Sequence, residues 1–397
     1  MTMTQEIHGI VADGFEAVRE EFAVFVAGEL PDYEGQLCAY VHGRRVVDLW
    51  AGNEAGADSL YAVYSSTKGA AHLVVALLVQ DGTLELDRKV TYYWPEFAAE
   101  GKGALTLREL LAHRAGVVGT DTGFSAAEMA DDRALAERLA DQKPFWRPGT
   151  AFGYHALVIG ALTGEVVRRA TGRTLQEVYE ERVRAPYGLD FHLGLPAALE
   201  PRFRSAQPMA PTPVQQAVLD ETPTGPHTLA SIAFNTHVSG TGTLVDYANS
   251  RTVRAKGPAS AGGVAAARGL AGMYAATISE VDGRPPLLKP DTIAEVGQIH
   301  SVGYDLVART HKSYGLGFQA TADTWHPFLG AGTFGHSGAG GSQAFADPRS
   351  GLAYGYTRRR MAFPGGAAPE NNQFVRATHL AALATATTAS TPEIAAT

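Results

Sequence analysis

The sequence predicts an α+β fold: an antiparallel sheet flanked by helices, built from both chain ends, with a mostly helical domain inserted between them. Three observations carry this prediction. A helical pattern and a hairpin come first, helical periodicities fill the middle, and short glycine-punctuated β-type runs followed by an apolar helix come last. The expected division is residues 1–85 with 295–397 for the sheet-bearing part and 86–294 for the helical part with its long loops.

Taken in order, Phe15, Val18, Phe22, Val24 and Phe25 recur among acidic residues with helical period, so an amphipathic helix is expected over about 13–29. Gln36 to His42 and Arg45 to Trp50 are β-rich runs separated by Gly43-Arg44, which predicts a hairpin. From Thr67 to near Gly82 the residues are small or aliphatic on nearly every side, the pattern of a helix in the middle of a protein. Leu105 to His113 predicts a short helix capped by Thr106. Helices are expected over Ala126–Ala140, His155–Ala170, Leu175–Arg184 and Ala265–Ile278. The Pro-, Thr- and Gly-rich stretch from Pro201 to Pro258 predicts long loops that wall a binding site. Strands are expected at Tyr314–Ala320, Thr333–Ser337, Gln343–Ala346 and Leu352–Thr357, then a helix over Asn372–Leu383 and a frayed Ala/Thr-rich tail.

Composition narrows the function. A net charge of −8 speaks against nucleic acid as a partner. The lone Cys38 excludes intrachain disulfides and multi-cysteine metal sites, and its apolar run predicts a buried thiol. Thirteen histidines without ligand spacing predict no metal, and nothing in the sequence calls for a cofactor. The first residues hold no basic and apolar leader, and no run of about twenty apolar residues could span a bilayer. A cytoplasmic protein with no membrane partner is therefore expected, with its oligomeric state open.

The chemistry centres on Ser65 and Lys68. They sit three residues apart at the start of the apolar helix, where i and i+3 share a face. A hydroxyl at the positive end of a buried helix, with an amine one turn away, has the parts of an activated nucleophile. A chain of this length would hold about one Ser-x-x-Lys by chance. Here, with seven lysines, this pair is the single instance, and a capping serine beside a solvated lysine is the bland alternative.

Further motifs follow in order. Leu110-Leu111-Ala112-His113-Arg114-Ala115-Gly116, then Phe145-Trp146-Arg147-Pro148-Gly149-Thr150 with Tyr154, and Gly335-His336-Ser337-Gly338 extend the pattern over almost the whole chain. With Ser65-Ser66-Thr67-Lys68, this set resembles the serine β-lactamase-like superfamily, most closely class C β-lactamases and family VIII carboxylesterases. The resemblance implies a β-lactamase/transpeptidase-like fold. It also implies a Ser65 acyl-enzyme, Lys68 and Tyr154 sharing the proton work, and an oxyanion held by the backbone N–H groups of Ser65 and Ala339. Free lysine and tyrosine both titrate near pH 10, so one must shift to serve as a base. An ammonium beside the phenol would favour phenolate, whereas burial would neutralise the lysine, and the sequence leaves the pair open.

Two departures bear on substrate. Tyr154-His155-Ala156 lacks the asparagine of the lactamase Tyr-x-Asn, and His336 stands where a lactamase has lysine. A neutral histidine is a weak anion site, which favours small, mostly uncharged acyl esters over anionic lactams. His336, Ser337 and Gly338 are the expected substrate-binding residues. A literal Tyr-x-Asn at Tyr247-Ala248-Asn249 lies at about double the family's distance from Ser65 and is expected to be coincidental. Gly335-His336-Ser337-Gly338-Ala339 imitates a nucleophile elbow but leads into a strand, so Ser337 is a poor nucleophile. His113 is expected to pack or cap. The expected function is a serine carboxylesterase acting on small-molecule esters. The alternatives are a β-lactamase or D-aminopeptidase, an acyltransferase, or a non-catalytic binding protein.

Overall fold

Nine antiparallel strands form the central sheet of the computed structural model, which describes residues 5–221 and 224–389. They are β1 (Ile7–Val11), β2 (Gly35–Val41), β3 (Arg44–Ala51), β4 (Ser301–Tyr304), β5 (His311–Tyr314), β6 (Gln319–Ala320), β7 (Phe334–Ser337), β8 (Gln343–Asp347) and β9 (Leu352–Arg358). Their order across the sheet is β1-β3-β2-β9-β8-β7-β6-β5-β4. The first hairpin thus joins the C-terminal meander through β2 and β9, with Leu37 opposite Tyr356 and Ala39 opposite Tyr354.

Alternation along β2 sends its side chains to two different layers. Leu37 and Ala39 meet Val18, Phe22 and Val26 of helix α1 (Glu16–Gly28), and Cys38 meets Ala267 and Ala271 on the opposite face. Helices α2 (Thr67–Gln80), α3 (Ile159–Thr171), α4 (Ala267–Ile278) and α5 (Asn371–Ala389) complete the frame. The α1 and α5 helices touch through Phe22 and Phe374, whose rings are 5.6 Å apart. The α4 helix packs on the other face of β2 and β9. At Gly355 a side chain would meet Ala267 O at 2.7 Å and Ala271 N at 2.6 Å, so α4 approaches the sheet as closely as backbone permits. This helix belongs by sequence to the 86–294 segment, yet it lies against the sheet because its inner face is small. Every residue of α2 from Thr67 to Leu78 is buried, with α3 packed beside it. Fully burying each of its leucines and valines is worth roughly 1.5–3 kcal/mol.

Several expectations shift by a residue or break. The hairpin turns at His42-Gly43, both in the left-handed region, rather than at Gly43-Arg44. The predicted 126–140 helix is two, because Asp131 caps a second start with its carboxylate on the amides of Arg133 and Ala134. Of the predicted 314–320 strand, only Tyr314, the last residue of β5, and Gln319–Ala320, which is β6, are extended, and residues 315–318 bend between them. The Thr106 cap forms a full capping box with Glu109. Among its described residues, the stretch from 201 to 258 contains four short α-helices, starting at Pro213, Leu229, Leu244 and Arg251. The α5 helix runs on to Ala389, and residues 390–397 of the expected frayed tail lie outside the described residues. Among the described residues no helix is long and apolar enough to cross a membrane.

Candidate active site

Ser65 sits in a short 3₁₀ turn, Tyr64–Ser66, that leads into α2. Tyr64 takes a φ of 46°, a strained value for a bulky residue directly before the serine. The next residue, Ser66, is structural. Its hydroxyl lies 2.9 Å from that of Ser342 and donates to His336 O at 3.3 Å, while Ser342 donates to Val63 O at 2.9 Å. These bonds pin the turn after β7 to the start of α2. Gly338 makes the contact possible, since any Cβ there would stand 2.2 Å from Val63 O.

Lys68 is wholly buried, and its Nζ is 3.1 Å from Ser65 Oγ. The same nitrogen donates to Ala156 O at 2.6 Å and Ser260 O at 2.8 Å. Burial drives its pKa well below the ordinary lysine value. A neutral amine has two N–H bonds and one lone pair, so the two carbonyls leave that lone pair for the serine hydroxyl. Tyr154 reaches Ser65 through its hydroxyl, and Lys68 Nζ lies 4.8 Å from its ring centre. Burial raises its pKa, the bond to Ser65 offsets this in part, and the nearby Asp305 charge adds to the rise. Burial thus favours the uncharged form of both groups.

In the turn after β7, Gly338 N–H donates to Ser342 O and Gly341 N–H to Gly338 O, and the Ala339 N–H takes part in neither bond. His336 is buried, with its ring 5.9 Å from that of Tyr154 and its Nδ1 bonded to Ser337 O. Desolvation by burial pushes its pKa well down, so it is neutral. Ser337 does not face the site as expected. Alternation along β7 turns it from His336, and its hydroxyl and amide both bond Gln319 Oε1 at 3.1 Å. The Ser337 hydroxyl is thus engaged with an amide oxygen rather than with a basic side chain.

The decoys resolve in physical terms. His113 takes a φ of 60°, accepts the His155 amide on Nδ1 and packs 4.5 Å from the Tyr314 ring. Asn249 staples Ala206 through two backbone bonds of 2.8 and 3.0 Å. Its neighbour Tyr247 lines a cavity of about 170 Å³ with Met129, Leu157, Phe234, Leu244 and Val253. Leu157 follows the Lys68 partner Ala156, and Leu244 packs in one cluster with Ala339 and with Tyr64, the residue before Ser65.

Sequence reasoning missed Ser260 and Asp305. The run Ala259-Ser260-Ala261-Gly262-Gly263 carried a signal, because successive small residues mark close backbone approach. A Cβ at Gly263 would lie 2.6 Å from Thr67 Oγ1. Asp305 carried none.

Comparison with known proteins agrees with this architecture. A family model described as Beta-lactamase matches residues 31–376. An "Esterase/beta-lactamase LipL" of Mycobacterium tuberculosis (strain ATCC 25618 / H37Rv) is 31% identical over 355 residues, covering 83% of this chain and 78% of the relative. Among solved structures, EstA from Arthrobacter nitroguajacolicus Rue61a gives a TM-score of 0.88 at 41% identity, covering 97% of this chain and 100% of that one. A family VIII carboxylesterase gives 0.84 at 32% identity, covering 95% and 100%. The fold is that of the serine β-lactamase and transpeptidase class. Within that class, the chain belongs to the Beta-lactamase family and is a hydrolase.

Proposed function

We propose that Ser65 is the nucleophile of a carboxylic ester hydrolase, with Lys68 as its base and Tyr154 as the phenol that passes the proton on. The observation that carries this reading is a fully buried Lys68 with Nζ 3.1 Å from Ser65 Oγ and both its N–H bonds directed at backbone carbonyls. Ser65 Oγ attacks the ester carbonyl carbon while its proton moves to Lys68. The oxyanion is held by the Ser65 and Ala339 N–H groups at a helix start and a strand end. Collapse breaks the bond to the alcohol, which leaves with a proton supplied through Tyr154. Water then attacks the acyl-enzyme by the same route in reverse, regenerating Ser65 and releasing the acid.

The substrate reading is an uncharged ester with a short apolar acyl group. A neutral His336 offers no cation to a carboxylate. The neighbouring 170 Å³ cavity is lined mainly by apolar side chains, and Asp246 stands on its wall, its pKa lowered by bonds from Thr243. Both features disfavour an anionic substrate. The Mycobacterium relative's name includes β-lactamase, which keeps lactam hydrolysis as a second reading.

The deciding experiment measures turnover of a short-chain aryl ester and a chromogenic cephalosporin by the wild type and Ser65→Ala, with phosphonate labelling mapped by mass spectrometry. Labelling at Ser65, loss of turnover in the variant and preference for the ester are expected. Retained turnover in Ser65→Ala would remove Ser65 as nucleophile, and preference for the lactam would reverse the substrate reading.

A further inference from the structure

The hairpin between β4 and β5 carries Asp305, a carboxylate with no exposed surface. Its Oδ1 accepts the amides of Val307 and Ala308 at 2.8 Å, the local bonds that shape the turn. The same oxygen accepts the amide of Tyr154 at 3.1 Å, across 151 residues of sequence. Its Oδ2 accepts the hydroxyl of Tyr314 at 3.1 Å. The Tyr314 ring lies parallel to that of Tyr154, 3° between planes and 6.0 Å between centres. Leu306, next to Asp305, donates its amide to Phe152 O at 3.2 Å, so the two segments are tied on both sides of the carboxylate.

The turn needs the amides of 307 and 308 but neither Tyr154 nor Tyr314. The two remaining bonds of Asp305 therefore serve the tyrosine beside the serine. We propose that Asp305 is a positioning residue that acts on the reaction only through Tyr154, fixing its backbone directly and the plane of its ring by way of Tyr314. Its charge works in the same sense, raising the pKa of both phenols and keeping them protonated. The inference rests on Tyr154 being the proton carrier. A group acting through another leaves substrate binding alone and lowers the rate of the step its partner performs.

The test compares Asp305→Asn, Tyr314→Phe, Tyr154→Phe and the Tyr154→Phe/Asp305→Asn double variant on one aryl ester, each checked for folding by circular dichroism. Asp305→Asn keeps an acceptor for the turn. Its kcat should fall about tenfold to hundredfold, the scale of a displaced general acid, with KM within about twofold of wild type. Tyr314→Phe leaves the Asp305 turn whole and should lower kcat by less. The double variant should be no slower than Tyr154→Phe alone, since the clamp then has nothing to position. An unchanged kcat in Asp305→Asn, or losses that multiply in the double variant, would overturn the role of Asp305 while leaving the Tyr154 reading intact. Full activity in Tyr154→Phe would instead sink that reading, and the clamp with it.

Discussion

At the scale of single residues, the site is governed by desolvation more than by charge pairing. Burial is the main cause that moves Lys68 down and Tyr154 up, so the acid limb of kcat/KM should report the amine. The sign is direct: as pH falls through the lowered pKa of Lys68, the amine takes a proton and the base is lost. Activity should therefore hold down to a limb well below the ordinary lysine range, and a pH–rate profile checks it. A limb near pH 10 would mean Lys68 is an ammonium at rest. Lys68→Met removes the base and should lower kcat by about 10² to 10⁴, the usual worth of a general base, as single-turnover acylation would reveal. Changing His336 to Lys introduces a cation beside Tyr154 and should lower KM for carboxylate-bearing esters, and identical Michaelis constants would mean the position does not sense the substrate. Ser65, Lys68 and Tyr154 were legible because their types and order recur in a known family. Asp305 was not, because an aspartate in a turn carries no mark of which distant amide it will meet.

At the scale of elements, the hydroxyl is held where two secondary structures touch. Ser66 and Ser342 lace the start of α2 to the turn after β7, and Gly338 permits the approach. Gly338→Ala would push its Cβ against Val63 O and part those elements. It should cost about 1–3 kcal/mol, as overpacking does, and reduce kcat more than KM, with thermal melts and steady-state kinetics as the readouts. Wild-type melting and turnover in that variant would contradict the close approach. The long apolar helix and the hairpin were legible from periodicity, since α2 is buried all round and β2 alternates strictly between layers. The break at Asp131 was harder to read, because helical period continues on both sides of it and only the cap bonds reveal the second start. Strands β1 and β4 escaped because edge strands of four or five residues show too little alternation. The placement of α4 against the sheet likewise depends on Gly355, a residue far away in sequence.

At the scale of the whole molecule, buried histidines set the response to acid. His155 is pushed down to about 4 and His72 to about 3, both mainly by burial. The unfolded chain binds these protons near pH 6.5 and the folded one does not, so stability is full above that value and declines as pH falls toward 4. For His155 this amounts to roughly 3 kcal/mol across the window. Asp132, raised to about 6 by burial, acts oppositely between pH 4 and 6, but one carboxyl opposes two imidazoles. Melting temperature should therefore drop steadily from pH 6.5 to 4.5 in scanning calorimetry, and a flat profile would mean the imidazoles are wet. The sheet order has another consequence, for biogenesis. Because β2 pairs with β9, residues near 37 must wait for residues near 356 to be synthesised before their ladder can close. The serine thus leaves the ribosome long before the turn bearing Ala339, and on the proposed mechanism a nascent chain halted short of that turn lacks one of the two oxyanion donors.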